Sequence, residues 1–269
     1  MYEIRSSEKL WVYGMKSQPV HISIDEIAFE RGLYSHPAID GIPSLTTENK
    51  LDECIENIFA PLWPAIIDRC ENLQTRKNVA RFIAHMDSRH PSRKKFLTRV
   101  ASRFQKFAEQ MPDGVIEIVA QNKSVWLRSS EVKKEFHAEN IQGAFVNQMP
   151  EQAEHLSKIL VNRRWGIVFS DVPVFVTSDF PVVLHRGTCA EAHFGFGTPG
   201  TMIFFPVSPK RMLVIDDSWQ YDFAHYKLTN ADAFNKVIAE SATRFIYADK
   251  ESHDLSQRIQ VWRNGVMKD

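Results

Sequence analysis

Four polar residues have side chains that could together carry out phosphoryl chemistry. Asp179 and Ser178 end a short apolar run, where they would present a carboxylate and a hydroxyl, and Glu56 is a second carboxylate. Carboxylate oxygens are the ligands that Mg²⁺ and Mn²⁺ prefer, and a guanidinium such as that of Arg89 binds phosphate. We therefore predict these four as candidate catalytic residues, with Asp179 and Glu56 as the metal ligands. The alternative is that Asp179 accepts backbone N–H bonds in an Asx-type turn.

A run of basic residues is the strongest local charge in the sequence. Between Arg76 and Lys106 there are ten Lys or Arg residues against one acid, Asp87. Helical spacing places four of them on one stripe: Lys95, Arg99, Arg103 and Lys106. Such a stripe could follow phosphates, which makes a nucleic acid or nucleotide the candidate partner. The alternative is a solvated helix face whose charges are balanced elsewhere, because the net charge is zero.

Two other segments match the residue pattern of a known site but lack the secondary structure that the site requires. Residues 195–200 fit GxGxxG, but that motif needs a helix directly after it and a strand is predicted there. Glu131-Val-Lys133, after Pro112-Asp113, resembles a nuclease core that needs its acid and lysine on a strand. The residues ahead of it, Ser129-Ser130, predict a helix start instead. We therefore interpret the first pattern as a glycine loop and the second as the first turn of a helix.

The middle of the chain has apolar residues at steps of three and four, which predicts amphipathic helices. They are expected at about 51–70 with a break at Pro61 and Pro64, at about 77–88, from Pro91 or Ser92 onward, and at about 130–161 in two pieces around Pro150. The helix that begins at Pro91 or Ser92 would turn its apolar residues inward: Phe96, Leu97, Val100, Phe104 and Phe107.

After Trp165 the sequence changes to short apolar runs separated by turns, which is typical of an antiparallel sheet. Strands are expected at 166–169, 174–177, 182–185, 202–205, 212–215, 245–248 and 259–262, with one helix over 230–242. Residues 170–173 and 206–210 have the composition of hairpin turns. We therefore predict an α+β fold in which a helical middle section packs on a mainly antiparallel C-terminal β-sheet.

Length and composition fit one α+β domain over residues 1–269. Within it, 1–43 would hold an N-terminal strand and loops, 44–164 the helices, and 165–269 a β-meander with one helix. No run approaches the roughly 18 apolar residues of a membrane-spanning helix. The N-terminus lacks the apolar core of a secretory signal, and the three cysteines have no paired spacing. We therefore expect a cytoplasmic protein without membrane association.

Two motifs follow one another in the C-terminal half of the chain. They are Phe175-Val-Thr177-Ser178-Asp179-x-Pro181 and Phe205-Pro206-Val-Ser208-Pro209-Lys210. With them, the sequence resembles the uncharacterised bacterial family DUF4238. Further landmarks occur in the family's order: LWVYG near the start, GLYS at 32–35, a helix with Glu53 and Glu56, FIAHMDSRHP, Trp165, and Asn235 in the last predicted helix.

The resemblance covers nearly the whole chain, with one departure. The family's HYVP motif, ahead of the strand at 10–13, is absent, so either the start is truncated or this member has lost the motif. An activity that used that histidine would then be missing. The family has no established activity to carry over, so the resemblance implies the order of the fold elements and leaves the function open.

Three functions are consistent with these residues. The first is a metal-dependent hydrolase of a phosphate-containing substrate, nucleic acid or nucleotide, in which Asp179 and Glu56 hold Mg²⁺ or Mn²⁺ and Arg89 and the basic helix receive phosphate. The second is a non-catalytic nucleic-acid- or protein-binding regulatory protein that uses the same helix. The third is a structural subunit whose polar residues only cap turns. We favour the first, because carboxylates, a basic helix and a glycine loop could converge, and leave open whether the protein is an enzyme.

Overall fold

The computed structural model describes residues 9–14, 18–23, 36–39, 42–44, 57–59, 61, 63–64, 73–111, 114–120, 123–135 and 137–266. Its helices are α1 (Asn57–Phe59), α2 (Leu73–Ser88), α3 (Pro91–Gln110), α4 (Ser129–Glu135), α5 (Ala138–Val161), α6 (Asp232–Ser241) and α7 (His253–Val266). Throughout the described ranges, no helix combines the length and the apolar character needed to cross a bilayer.

The strands are short and occur in both halves of the chain. They are β1 (Lys9–Gly14), β2 (Val20–Ser23), β3 (His36–Ile39), β4 (Ile42–Ser44), β5 (Val115–Ala120), β6 (Lys123–Arg128), β7 (Trp165–Phe169), β8 (Thr177–Ser178), β9 (Val183–His185), β10 (Met202–Ser208), β11 (Arg211–Ile215), β12 (Ala224–Lys227) and β13 (Phe245–Ala248). Helices and mostly antiparallel strands occur together, so the α+β prediction is confirmed.

The chain divides into two compact units. Unit 1 comprises residues 1–31, 53–87 and 153–269, and unit 2 comprises 32–52 and 88–152. This division reflects the compactness of each part and does not decide how many domains the chain has. A single α+β domain over residues 1–269 therefore stays a prediction. The predicted helix at 51–70 lies mostly outside the described residues.

The larger sheet of unit 1 has the strand order β12-β7-β11-β10-β9. Its pairs are antiparallel except for β12 with β7, which is parallel. Strands β10 and β11 form the predicted hairpin across 206–210, with Ser208 opposite Arg211. Both strands are nearly continuous apolar runs because both faces of this part of the sheet are covered.

A second sheet in unit 1 has the order β2-β1-β13-β8. One continuous meander was therefore the wrong expectation. Residues 170–176 leave β7 and reach β8 in the other sheet instead of turning back as a hairpin. Only Thr177–Ser178 is a strand in this stretch, because the N–H groups of Val174 and Phe175 both donate to the carbonyl of Pro209, at 2.8 and 2.9 Å.

The core of unit 1 lies among the two sheets, α6 and α7. It includes Val168 and Phe204 from the larger sheet, Ile246 from the smaller sheet and Ile238 from α6. Residues 259–262 belong to α7, so the strand predicted there was wrong. The physical reason is the spacing of Leu255, Ile259 and Trp262, which pack on this core at steps of four and three residues.

Helix α2 packs on the larger sheet of unit 1 through aromatic rings. The ring centroid of Phe82 of α2 lies 6.3 Å from that of Phe205 of β10, and Phe82 also stacks on Phe59 with ring centroids 3.7 Å apart. Edge and offset arrangements of such rings add about 0.5–1.5 kcal/mol each beyond the burial of apolar area. These contacts fix α2 against β10.

Unit 2 is built around α3. On one side, Leu97 packs against Phe145, Val146 and Met149 of α5. On the other, a small core joins α3 to the β5–β6 hairpin and α4: Ala108, Ile116, Val132, Phe104, Ile118 and Leu127. Helix α3 begins as predicted at Pro91, and His90 Nδ1 accepts the N–H of Ser92 at 3.2 Å to cap it.

Two expectations about unit 2 were wrong. The break in the helical stretch falls near His137, between α4 and α5, while Pro150 lies inside α5. Packed residues on both sides, Met149 and Ala153, are buried, and this tertiary packing maintains the helix across the proline. Phe96 and Phe107 were expected inside, but they are 55% and 46% exposed.

Candidate functional site

The carboxylate of Asp179 is bound by the backbone of a distant turn. Its Oδ1 accepts the N–H of Thr243 at 2.9 Å, and its Oδ2 accepts the N–H of Arg244 at 2.7 Å. The Arg244 Nε lies 3.8 Å from the same Oδ2, and the Asp179 side chain is 8% exposed. Both oxygens are therefore used to hold the connection between α6 and β13. This is acceptance of backbone N–H bonds, but across 64 and 65 residues instead of within a local turn.

Ser178 forms the local turn next to Asp179. Its hydroxyl donates to the carbonyl of Phe180 at 2.9 Å and accepts the N–H of the same residue at 3.2 Å. The side chain is buried. These bonds shape the chain directly before Pro181.

Arg263 of α7 reinforces the same connection. Its buried guanidinium donates to the carbonyls of Ala242 at 2.9 Å, Thr243 at 3.3 Å and Arg244 at 3.4 Å. Burial lowers the pKa of Arg263 from its ordinary value, and the negative charge of Asp179 opposes that shift. Arg263 was not predicted, because its sequence neighbours give no sign that the side chain turns inward.

Asn235 joins the two family motifs. Its Oδ1 accepts the N–H of Val176 at 3.1 Å, and its Nδ2 donates to the carbonyl of Val174 at 2.7 Å. The residue between them, Phe175, donates its N–H to Pro209 in the β10–β11 turn. The first motif is thus fixed by α6 on one side and by the second motif on the other, which gives both motifs a role in holding unit 1 together.

Two arginines of unit 1 have buried structural roles. Arg163 donates to the carbonyl of Phe196 at 2.9 Å and to Thr201 Oγ1 at 3.0 Å, so it anchors the glycine loop at 195–200, and strand β10 follows that loop. Arg76 pairs with Asp222 at 2.5 Å, and its guanidinium carbon lies 5.1 Å from the ring centroid of Trp165. Arg76 is therefore not a surface charge, although the sequence places it in the basic run.

The predicted catalytic residues fall in different parts of the chain. Asp179 and Ser178 lie in unit 1, Arg89 lies in unit 2 at the turn before α3, and Glu56 lies outside the described residues. In the part of the chain that the structure describes, no group of three or more His, Cys, Asp or Glu side chains is arranged to hold a metal ion. A metal site at Asp179 and Glu56, and a catalytic role for Ser178 and Arg89, therefore stay predictions.

The predicted basic stripe lies on α3 in unit 2. All four side chains of this α3 basic stripe are exposed: Lys95, Arg99, Arg103 and Lys106. Among the described residues, none of the four has an ion pair or a hydrogen bond from its side chain. Lys95 and Lys106 are separated by about 16 Å along the helix, at 1.5 Å per residue. Within the described ranges, the stripe is thus an extended row of unpaired positive charge.

Exposed apolar side chains lie beside this stripe. At 100° per residue, Phe96 and Phe107 fall between the basic stripe and the buried face of α3 that carries Ala101 and Ala108. Trp126 of the β5–β6 hairpin is 63% exposed as well, but it lies on the hairpin face that points away from α3. Large apolar side chains at the surface are informative when they cluster, because a cluster is typical of a binding surface.

A groove of about 440 Å³ separates α3 from β5 in unit 2. The α3–β5 groove is lined by Val100, Arg103, Phe104, Phe107, Ile116 and Glu117. Glu117 and Trp126 are directly opposite each other in the hairpin register, so both side chains lie on one face of it, opposite to the face on which Ile116 packs toward α3. Sequence reasoning missed Glu117 and Trp126, although the alternation of β5 does give the signal that position 117 faces outward.

Comparison with known proteins identifies the family of this chain. Neither the curated proteins nor the solved structures include a significant match to this chain. The family model described as "Protein of unknown function (DUF4238)" matches residues 4–252. This range contains the two motifs that Asn235 and Pro209 join, together with α3 and its groove. Because the match covers most of the sequence, the chain belongs to the DUF4238 family.

Proposed function

We propose that this protein is a non-catalytic nucleic-acid-binding protein whose contact surface is the exposed side of α3. The observation that carries the proposal is the α3 basic stripe, whose four cations have no acidic partner among the described residues. A protein of zero net charge that leaves such a row unpaired has a local surface suited to a polyanion. The cytoplasmic location expected from the sequence is part of this proposal.

The spacing of the charges supports phosphate binding. Successive members of the stripe are three or four residues apart, so they follow one side of the helix. Each cation that contacts a phosphate releases condensed counterions. The affinity should therefore fall steeply with salt, with a slope of roughly 0.7 per contact for a single strand.

The hydrolase hypothesis shares this surface but needs a metal site as well. Both oxygens of Asp179 accept backbone N–H bonds from Thr243 and Arg244. The proposal therefore takes the binding function and gives the Asp179 motif a structural role. Cleavage by the purified protein that depends on Mg²⁺ or Mn²⁺ would count against it.

The test is a binding titration with short fluorescent RNA and DNA, as single strands and duplexes, over a series of salt concentrations. The main variant replaces the four stripe residues: Lys95→Gln, Arg99→Gln, Arg103→Gln and Lys106→Gln. The matched control removes four exposed lysines of unit 1: Lys158→Gln, Lys210→Gln, Lys236→Gln and Lys250→Gln. Both variants lower the positive charge of the whole molecule equally.

The stripe variant should bind at least about tenfold more weakly at low salt and show a shallower salt slope, while the control binds like the wild type. Equal loss in both variants would mean that only total charge matters and would overturn the proposal. Absence of binding by the wild type would do the same.

A further inference from the structure

We infer that the α3–β5 groove is a binding site for a small single-chain carboxylate, in which an alkyl chain lies in the groove and Arg103 binds the carboxylate group. The inference goes beyond the proposed function, because it assigns to unit 2 a small-molecule ligand of a different chemical class from nucleic acid. It concerns unit 2 alone, since every residue that lines the groove lies within 88–152.

One wall of the groove is a single face of α3. Val100, Phe104 and Phe107 are separated by four and three residues, so they follow one another along the same side of the helix. At 1.5 Å per residue, this row is about 10 Å long. Phe107 is 46% exposed. The α3 wall is therefore an elongated apolar surface that stays partly open to solvent.

The opposite wall is the face of the β5–β6 hairpin that packs toward α3. Ile116 lies on this face, within the small core of unit 2, and is 4% exposed. Side chains alternate along a strand, so the side chain of the next residue, Glu117, lies on the other face of the hairpin. Glu117 therefore borders the groove with its backbone. Among the six lining residues, none directs an acidic group into the groove.

Arg103 is the basic residue of the lining. Among the described residues, its side chain has no ion pair or hydrogen bond. Helix side chains lean toward the N-terminus, so its guanidinium should reach toward the Val100 end of the groove. A guanidinium binds a carboxylate through two parallel N–H bonds. Arg99 and Lys106, about one turn away on either side, add to the positive potential at this border.

An apolar groove with one cation at its border specifies the chemistry of the ligand. The four apolar lining residues have no hydrogen-bonding groups in their side chains, so a polar ligand body would lose its bonds to water without replacement. An alkyl chain loses no such bonds, and burial of each methylene strengthens binding roughly fourfold. An anionic end group then pairs with Arg103.

The size of the groove favours one chain. Its volume of about 440 Å³ is near the lower end of the range for small-ligand sites. A groove of this volume suits a single alkyl chain better than the two chains of a phospholipid. The ligand is therefore a free monocarboxylate with one chain.

The ligand should also affect the α3 basic stripe, because Arg103 belongs to it. This consequence rests on the proposed function. A carboxylate bound to Arg103 removes one of the four cations available to phosphates, so it should weaken nucleic-acid binding and lower the salt slope by about 0.7 for a single strand. The carboxylate would thus regulate the surface that binds nucleic acid.

The experiment is isothermal titration calorimetry of the whole chain with decanoate, below the concentration at which decanoate forms micelles. Decanol and decylammonium have the same chain with a neutral and a cationic end group. Decanoate should bind at least about tenfold more tightly than decanol, because only the carboxylate pairs with Arg103, and decylammonium should bind most weakly. Octanoate, with two fewer methylenes, should bind roughly tenfold more weakly than decanoate.

Two variants with matched controls locate the site. Arg103→Gln should weaken decanoate binding about tenfold and leave decanol binding unchanged. Its control is Arg99→Gln, at a stripe residue outside the lining, which should bind decanoate much like the wild type. Phe107→Ala should weaken binding of both ligands, whereas Phe96→Ala removes a comparably exposed ring outside the lining and should affect neither. Circular dichroism and melting temperature check that each variant is folded.

The outcomes keep this inference separate from the proposed function, because the titrations contain no nucleic acid. Equal affinity for decanoate and decanol, or decanoate binding that Arg103→Gln and Phe107→Ala leave unchanged, would overturn the inference. Failure of the wild type to bind decanoate would do the same. A wild type that binds decanoate but no nucleic acid would overturn the proposed function and leave the carboxylate site standing. Unchanged RNA affinity at saturating decanoate would overturn the regulatory consequence.

Discussion

Asp179 and Asn235 both connect the chain around β8 to α6 and the residues that follow it. Asn235, in α6, binds the backbone of Val174 and Val176, and Asp179 binds the backbone of the residues that follow α6, Thr243 and Arg244. Strand β8 is only two residues long, so its ladder alone is a weak attachment. The side-chain bonds of these two residues make up for the short ladder.

Asp179→Ala should destabilise the protein by roughly 1–3 kcal/mol, because the backbone N–H groups of Thr243 and Arg244 lose a charged acceptor whose side chain is buried. Asp179→Asn retains one acceptor oxygen and should cost less. Urea denaturation measures the free energy of unfolding, and Asp171→Asn, at an exposed residue, is the control.

The same variants test the metal hypothesis. If Asp179 is structural, Mg²⁺ and Mn²⁺ should leave the melting temperature of the wild type unchanged. A rise with either ion that Asp179→Asn abolishes would contradict the structural role and support the hydrolase.

The buried hydroxyl of Tyr247 has no hydrogen-bond partner among the described residues, so the folded state bears the desolvation cost of that group. Tyr247→Phe removes the hydroxyl and should therefore raise the free energy of unfolding by about 1 kcal/mol at neutral pH. Thermal and urea denaturation at neutral pH measure this. A loss of stability in Tyr247→Phe would show that the hydroxyl has a partner in solution.

Tyr247 should also make stability depend on alkaline pH. Burial, followed by the negative charge of Asp179, raises the pKa of Tyr247 above its ordinary value of 10. Above that pH the unfolded chain loses the phenol proton while the folded protein keeps it, so stability falls as pH rises, by at most about 1.4 kcal/mol per pH unit for one group. Urea curves at increasing pH should fall more steeply for the wild type than for Tyr247→Phe. Parallel curves would show that Tyr247 titrates equally in both states.

Arg76→Lys should destabilise unit 1 by roughly 2 kcal/mol or more, although the charge is kept. The Arg76 guanidinium lies 5.1 Å from the ring centroids of both Trp165 and Phe223 and pairs with Asp222, and a lysine ammonium cannot make the planar contacts together with the ion pair. Lys77→Ala, at the exposed neighbouring position, should cost less than about 0.5 kcal/mol. Similar losses in both variants would show that the contacts of the Arg76 guanidinium add nothing beyond those of an exposed cation of the same helix.

Arg163→Lys should loosen the glycine loop. Arg163 donates to Phe196 and to the buried Thr201, and lysine cannot maintain the forked geometry. Limited digestion with chymotrypsin should then cut faster next to Phe194 and Phe196. Arg164→Ala, at the adjacent exposed arginine, is the control and should be cut at the wild-type rate.

Local signals predicted the parts of the fold that depend on neighbouring residues. The turn at 206–210 and the start of α3 at Pro91 were predicted correctly, because proline and turn residues act within a few positions. The same holds for Glu131, which accepts the N–H of Arg128 in the first turn of α4. These features need no knowledge of the tertiary structure.

Long-range contacts account for what the sequence could not show. The donors to Asp179 lie 64 and 65 residues away, so its motif gives no sign of where its partners are. Arg76 and Arg163 look like surface charges in the sequence because their aromatic and carbonyl partners are far along the chain. Exposure of Phe107 was likewise hidden, since helical spacing alone assigned it to the inner face.

The pairing of β1 with β13 constrains the order in which parts of the protein can fold during synthesis. Trp11 lies opposite Ala248, so the smaller sheet of unit 1 cannot close on a ribosome until residue 248 has left the exit tunnel. Until then β1 and β2 form an isolated hairpin, which is marginal in water. Unit 2 comprises residues 32–52 and 88–152, so all of it has been synthesised before residue 248 and it can begin to fold while unit 1 is still being made. Completion of unit 1 should therefore be the last and slowest step of synthesis-coupled folding.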